Sequence, residues 1–372
     1  ADFVTGTVWT LTETSAGTYK REVLMESGLN IASFAEDLAG ELYLVSFSGI
    51  YRLDFADTEP EPTFVTPQKL SATGCASPDD PSQSLTGQIP YALNEPFWSD
   101  GAAKLRYFAI PDGQQISVAA DGDFVFPAGT VLRKDFHFEQ RFIETRFFVK
   151  HQNEQWSGYS YRWNEAQTDA DLVEGGLDAQ ISGADNQSQL WRYPGNSECL
   201  QCHTAAAGFS LGLEAQQLNR DFQYPGSGIP ANQLVTLNAI GLLAELTNAQ
   251  KESRLPISQS SDESAELRAR SYLHSNCASC HRPGGTTQSD MDLRFSMPLA
   301  LAGICNAEPQ NGDIGIAGAR ILLPGDPDRS LLLQRMLNTD NSAMPPLSRN
   351  QIDEAGAQLI AEWISGTGSC GG

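Results

Sequence analysis

The sequence predicts an α+β chain, β-rich in its N-terminal half and helical toward its C-terminus. Period-two alternation runs through residues 116–163, where Phe142 to Val149 and Trp156 to Trp163 read as strands after Val131-Leu132. An apolar stripe at helical spacing, Ile352, Ala355, Leu359, Ile360, Trp363 and Ile364, runs close to the chain end. The 33 glycines and 20 prolines fit a loop-rich chain better than a bundle.

The 372 residues suggest two or three domains, and 40% hydrophobic residues suffice for buried cores. No run approaches the roughly 18 apolar residues of a membrane helix. A net charge of −22 argues against nucleic acid and anionic membrane surfaces as partners, since phosphate binding needs clustered Lys and Arg. The chain opens Ala1-Asp2-Phe3 with neither a basic n-region nor an apolar h-region, so the expectation is a cytoplasmic or an already processed protein.

Residues 1–57 read as one β unit of four strands, Thr7–Leu11, Glu22–Met25, Leu42–Ser46 and Gly49–Leu53, the size of a propeller blade. An isolated blade leaves unpaired edges, which makes self-assembly one expectation. Residues 58–90, rich in Pro, Ser, Thr and Asp, read as a linker, and 91–190 as a β-rich domain.

Seven cysteines decide the chemistry. Cys199-Leu200-Gln201-Cys202-His203 and Cys277-Ala278-Ser279-Cys280-His281 repeat the Cys-x-x-Cys-His frame, the attachment signature of c-type haem. Two thiols must add to two vinyl groups on one porphyrin edge, and the next residue must bring an imidazole to the iron. Positions i, i+3 and i+4 of a helical turn share one face, so the three groups converge. A four-thiol zinc site would not need the histidine after each pair. Two covalent haem c groups are therefore expected, and with them export to the periplasm or the extracellular space. There Cys75, Cys305 and Cys370 allow one disulfide in three pairings.

The first frame lies in residues 191–258, expected to carry helices at Leu213–Asn219 and Gln233–Leu246. It has no methionine of its own downstream. The sixth ligand of its iron must come from upstream, or that iron is five-coordinate. His151 continues the apolar face of Ile143, Thr145, Phe147 and Val149, while Glu144, Arg146 and Lys150 take the other face. His137 sits with Arg133, Asp135 and Glu139 on a face that reads as solvated. His151 is thus the better candidate and His137 the alternative.

The second frame lies in residues 259–372. A helix is expected over Ala265–Ser275 with Asp262 at its N-cap, and another opening at Asp326-Pro327. The last helix should begin at a capping box of Ser348 and Gln351 and stop at Gly366. Between the last two helices Ala343-Met344-Pro345-Pro346 offers a thioether in a stiff loop, the usual sixth ligand that raises a haem potential.

With the frame at the end of the first helix, the Met-Pro-Pro loop and the closing helix with Trp363, residues 265–366 resemble a class I cytochrome c. The resemblance implies His281 and Met344 as axial ligands. The whole chain resembles the cytochrome region that follows a glucose/sorbosone (PQQ-type) dehydrogenase propeller in bacterial fusion proteins. That likeness rests on Phe97-Trp98-Ser99-Asp100-Gly101-Ala102, Glu144-Thr145-Arg146, Gly158-Tyr159-Ser160-Tyr161-Arg162-Trp163 and Cys280-His281-Arg282-Pro283-Gly284-Gly285. It implies electron relay between a redox donor and acceptor, a PQQ-type dehydrogenase among them. A five-coordinate first haem would instead make a peroxidase-like enzyme, and end-to-end stacking a conducting filament. No G-x-S-x-G or H-E-x-x-H motif competes.

Overall fold

The computed structural model describes residues 1–371 apart from 16, 48, 54–64, 288 and 348. The chain is mixed α+β, with strand predominating. Among the described residues no helix is long and apolar enough to cross a membrane.

The N-terminal unit has five strands: β1 Thr7–Ser15, β2 Thr18–Glu26, β3 Ile31–Glu36, β4 Leu42–Ser46 and β5 Gly49–Arg52. They form two separate sheets, β1-β2 and β3-β4-β5, and not the single four-stranded blade expected. Only Ile31 of β3 is buried, so the strand lacks the two-sided apolar signal that sequence reading uses. Val8, Ile31 and Leu44 make a small core, while Leu11, Phe47 and Ile50 stay exposed.

Residues 65–90, read as linker, are packed structure. Leu70 and Ala76 are buried against Phe147, Tyr161 and Trp163. Arg133 donates to the carbonyls of Pro81 and Gln83, and Tyr161 Oη donates to that of Pro67. The segment is held through its main-chain carbonyls, which accept from buried side chains and which composition does not report.

The centre is an antiparallel sheet. Its strands are β6 Ile89–Pro90, β7 Ala103–Ala109, β10 Val131–Phe138, β11 Arg141–Lys150, β12 Trp156–Trp163 and β13 Ala170–Leu172, ordered β13-β12-β11-β10-β7-β6. Short pairs, β8 Ser117–Val118 with β9 Phe124–Val125 and β14 Leu177–Ser182 with β15 Ser188–Tyr193, flank it. Both faces are covered. On one, Phe147, Tyr161 and Trp163 meet Leu70; on the other, Phe108, Leu132 and Phe148 meet the helical segment.

That segment holds α1 Asn196–Cys202, α2 Ala215–Leu218, α3 Gln233–Ala239 and α4 Asn248–Glu252. The helices are shorter than predicted; α3 ends before Gly241, which is left-handed at φ 78°. The C-terminal part has α5 Ala265–Cys277, α6 Leu331–Met336 and α7 Glu354–Gly366, joined by long irregular stretches. It is less helical than expected, because the glycines and prolines between 283 and 325 cannot sustain a helix.

Ser264, not Asp262, caps α5 by accepting from Leu267 N. Asp353 caps α7 by accepting from Gly356 N, so that helix starts later than the Ser348 box, and Ser348 lies outside the described residues. Asp326-Pro327 opens a single 3₁₀ turn before α6. A Cβ on Gly356 would lie 2.5 Å from the Tyr272 ring, so this glycine lets α7 close onto α5.

Cys305 and Cys370 form a disulfide, which leaves Cys75 free. It closes a loop of 65 residues, worth about 4 kcal/mol in the chain-entropy description. Cys370→Ser is expected to lower the urea midpoint of the C-terminal part accordingly; an unchanged midpoint would show the bond to be dispensable.

Candidate functional site

Cys199, Cys202 and His203 line one cavity and Cys277 and His281 another, while Cys280 lines neither. The first frame ends α1. Glu198, held by Arg192 at 2.8 Å, reaches back to accept from Gly195 N at 2.9 Å and fixes the first turn. His203 N then donates to Cys199 O at 3.0 Å, so both thiols and the imidazole share one turn. The second frame repeats this where α5 ends, with His281 N donating to Cys277 O at 3.0 Å.

The first cavity lies between the sheet, α1 and α5. Its enclosed volume is about 140 Å³. Cys199, Cys202 and His203 line one side and His274 and Ala278 of α5 another. The sheet presents Lys104, Arg106, Lys134, Phe136, Arg146 and Phe148. The face of β11 that carries Glu144 and Arg146 therefore looks toward the cavity side, whereas the face that His151 continues, expected to meet the macrocycle, looks away. Glu144 is fully buried and accepts from Arg146 Nε at 2.7 Å and Trp191 Nε1 at 2.8 Å. Alternation shows that two faces differ; it does not show which of them meets water when both are covered.

His151 consequently falls on the far side of the sheet. Its Nε2 is 3.1 Å from Tyr159 Oη, and it lines neither this cavity nor the second. His137 Nδ1 lies 2.8 Å from Glu139 O at the strand end and also lines neither. The structure brings together Cys199, Cys202 and His203 in one cavity, and Cys277, His281 and Met344 in the other.

His203 and His274 face the same space in opposite protonation arrangements. His203 Nδ1–H donates to Phe209 O at 2.5 Å, which leaves Nε2 a bare acceptor. Burial pushes its pKa down to about 3, and its ring lies 4.1 Å from that of Phe148. His274 Nδ1 accepts from Phe295 N at 3.0 Å, so Nε2 carries the proton and donates to Glu214 at 2.7 Å. Burial works against its charged form, but Glu214 prevails and raises the pKa. His203 is poised as a metal ligand and His274 is not.

The second cavity, about 310 Å³, is lined by Cys277, His281, Met344, Met291, Met336 and Trp98. Burial lowers His281 to about 4. Met344 is fixed by donation from its N–H to Arg335 O at 2.9 Å. Arg349, also on the wall, has its Nε buried without a partner.

The two frames abut. Thr204 Oγ1 donates to Ser279 O at 2.8 Å, and Cys280 Sγ to Gln201 O at 3.3 Å. The Cys202 and Cys280 thiols lie within hydrogen-bonding reach of each other. A strap over residues 95–100 ties the halves together: Trp98 N donates to Asn276 Oδ1 at 2.8 Å, and Asp100 accepts from Asn350 N and Gln351 N. Burial raises Cys199 to about 11 and Cys277 to about 12, so these thiols are protonated. Among the described residues no three His, Cys, Asp or Glu side chains converge as a bare metal ion requires.

Sequence reasoning missed the cations of the first cavity. Burial, reinforced by Arg106 and Arg146, lowers Lys134 to about 7, and burial puts Lys104 well below its ordinary range. A signal was present: Lys or Arg recurs on the same face of three neighbouring strands of an otherwise acidic chain. No protein family, curated protein or solved structure matches the chain.

Proposed function

We infer that the chain is a dihaem c-type cytochrome that relays electrons between redox partners outside the cytoplasm. The observation that carries this is that Cys199, Cys202 and His203 line one cavity and Cys277 and His281 a second. Haem c, when bound, supplies a one-electron iron couple. Cys199 with Cys202, and Cys277 with Cys280, would hold the two groups by thioether bonds. His203 Nε2, freed by the Phe209 carbonyl, and His281 would meet the irons. Met344 lines the cavity of His281 and would supply its sixth ligand, as the likeness of residues 265–366 to class I cytochromes c implies. Phe148 and Phe136 give the first cavity, and Trp98 the second, aromatic wall for an apolar macrocycle. The Cys202–Cys280 contact sets the attachment sites edge to edge, the arrangement a relay needs. The Cys305–Cys370 disulfide fits an oxidising compartment, and a PQQ-type dehydrogenase fits as donor.

The test is a pyridine haemochrome count with intact-mass spectrometry on protein made alongside a c-type haem maturation system. Two haems per chain are expected; one or none would overturn the reading. Gly158→Ala probes the first site separately. The added Cβ would lie 2.5 Å from Cys199 Sγ, so one haem per chain should remain, with a loss of about 1–3 kcal/mol in stability. Retention of both haems would show that Cys199 can move.

A second reading follows from His274, whose two nitrogens are both engaged. With no free histidine or methionine opposite His203 on the described wall, an open iron position would make the first site a small-ligand or peroxide site. Carbon monoxide binding to one haem of the reduced protein supports that reading, and no binding removes it.

A further inference from the structure

The cations of the first cavity form a cross-strand row. Lys134 on β10 lies directly opposite Arg106 on β7 and Arg146 on β11, and Lys104 lies opposite Phe136. Like charges directly opposite one another destabilise a sheet, more so away from water. Arg146 is neutralised by Glu144. The carboxylates on the cavity wall are already engaged: Glu198 by Arg192, Glu214 by His274 and Asp123 by Arg282. Among the described residues Lys104, Arg106 and Lys134 form no ion pair. Lys104 Nζ donates only to Phe97 O, and Arg106 Nη1 reaches only Lys104 O, at 3.4 Å. Despite the chain's large excess of acid, no carboxylate among the described residues pairs with Lys104, Arg106 or Lys134. A half-buried row of cations with no acidic partner, facing a cavity, suits an anionic ligand within it.

We propose that Lys104, Arg106 and Lys134 clamp a pair of carboxylates carried by the occupant of the first cavity. This rests on the haem reading above, under which the carboxylates are the two propionates of the haem attached at Cys199 and Cys202. The clamp orients that group with its thioether edge toward α1 and its acidic edge toward β7 and β10. The row bears on the potential of the first site, while the second has Arg335 and Arg349 on its own wall.

The experiment uses the haem-loaded full chain with Lys134→Met and Arg106→Met, and with Lys134→Arg and Arg106→Lys as conservative partners that keep the charge if a methionine variant fails to fold. Haem count, the potential of each haem, and the carboxylate bands of the oxidised-minus-reduced infrared difference spectrum are measured. Loss of a cation favours the ferric state. One haem should therefore shift about tenfold toward oxidation, about 59 mV for a one-electron couple. Its carboxylate bands should shift as well, and the other haem should not change. The conservative variants should hold the potential near its original value while still displacing the bands.

Two bound haems with unchanged potentials and bands overturn the clamp. So does a potential shift with unmoved carboxylate bands, or a high-spin iron in Lys134→Met with unmoved bands, which would make the amine an iron ligand. A potential that depends on added phosphate in the unmodified protein points to a free anion in the row and overturns the propionate assignment. Fewer than two haems in the unmodified protein overturns the proposed function instead.

Discussion

Met344→Ala is expected to shift the reduction equilibrium of one haem by more than tenfold toward the oxidised state, over about 59 mV, and to leave the other unchanged. A thioether is a soft, weak donor that favours ferrous iron, and its loss leaves water or a harder ligand. Three methionines line the second cavity, so the assignment needs controls. Met336 is only 8% exposed and packs in the core with Leu333 and Ile360, and Met291 packs against the same cluster. Met336→Leu and Met291→Leu should therefore keep both potentials. Spectroelectrochemistry on the three variants decides. If Met344→Ala keeps its potentials while Met291→Leu does not, the ligand is the other methionine.

Asp135→Ala should cost about 3–5 kcal/mol, read as a large fall in the urea midpoint. Arg133 and Asp135 are both fully buried on the sheet face away from the cavities. Asp135 accepts from Arg133 Nε at 3.0 Å and from Thr145 Oγ1 at 2.6 Å, and Thr145 in turn accepts from Trp163 Nε1 at 3.0 Å. Burial is the largest influence on Asp135 and raises its pKa despite Arg133, so the ionised pair is costly to keep buried. Removing only the carboxylate strands the guanidinium, with two carbonyls left to it. The double variant Arg133→Met/Asp135→Ala should recover much of the loss. A double variant as unstable as the single one would show that the network, and not the stranded charge, sets the cost.

The same pair shows what could be read in the sequence and what could not. Arg133, Asp135 and His137 alternate on one face and read as solvated; in the fold the first two are sealed under residues 65–90, a segment that itself reads as a linker. A single strand reports the polarity of its faces but not whether a charge on them meets water or a partner from 50 residues away. For that reason His151 reads as the residue that faces a haem, whereas in the fold it lines neither cavity and Arg146 lines the first. Chemistry carried on one helical turn was legible, because Cys199, Cys202 and His203 need only local geometry to converge. The apolar stripe of α7 was legible for the same reason, although its start was not, since Ser348 with Gln351 fits a capping box while the cap is the bond that Asp353 accepts from Gly356 N. The row of Lys104, Arg106 and Lys134 needed the strand register before its meaning could be seen.

Helix α5 walls the first cavity with His274 and Ala278 and also carries the second frame at its end. The two sites therefore cannot be traded as separate cassettes. A recombination breakpoint anywhere between residues 203 and 277 would detach one attachment turn from the surface that roofs its pocket, so descendants of this chain should inherit both frames together or lose both.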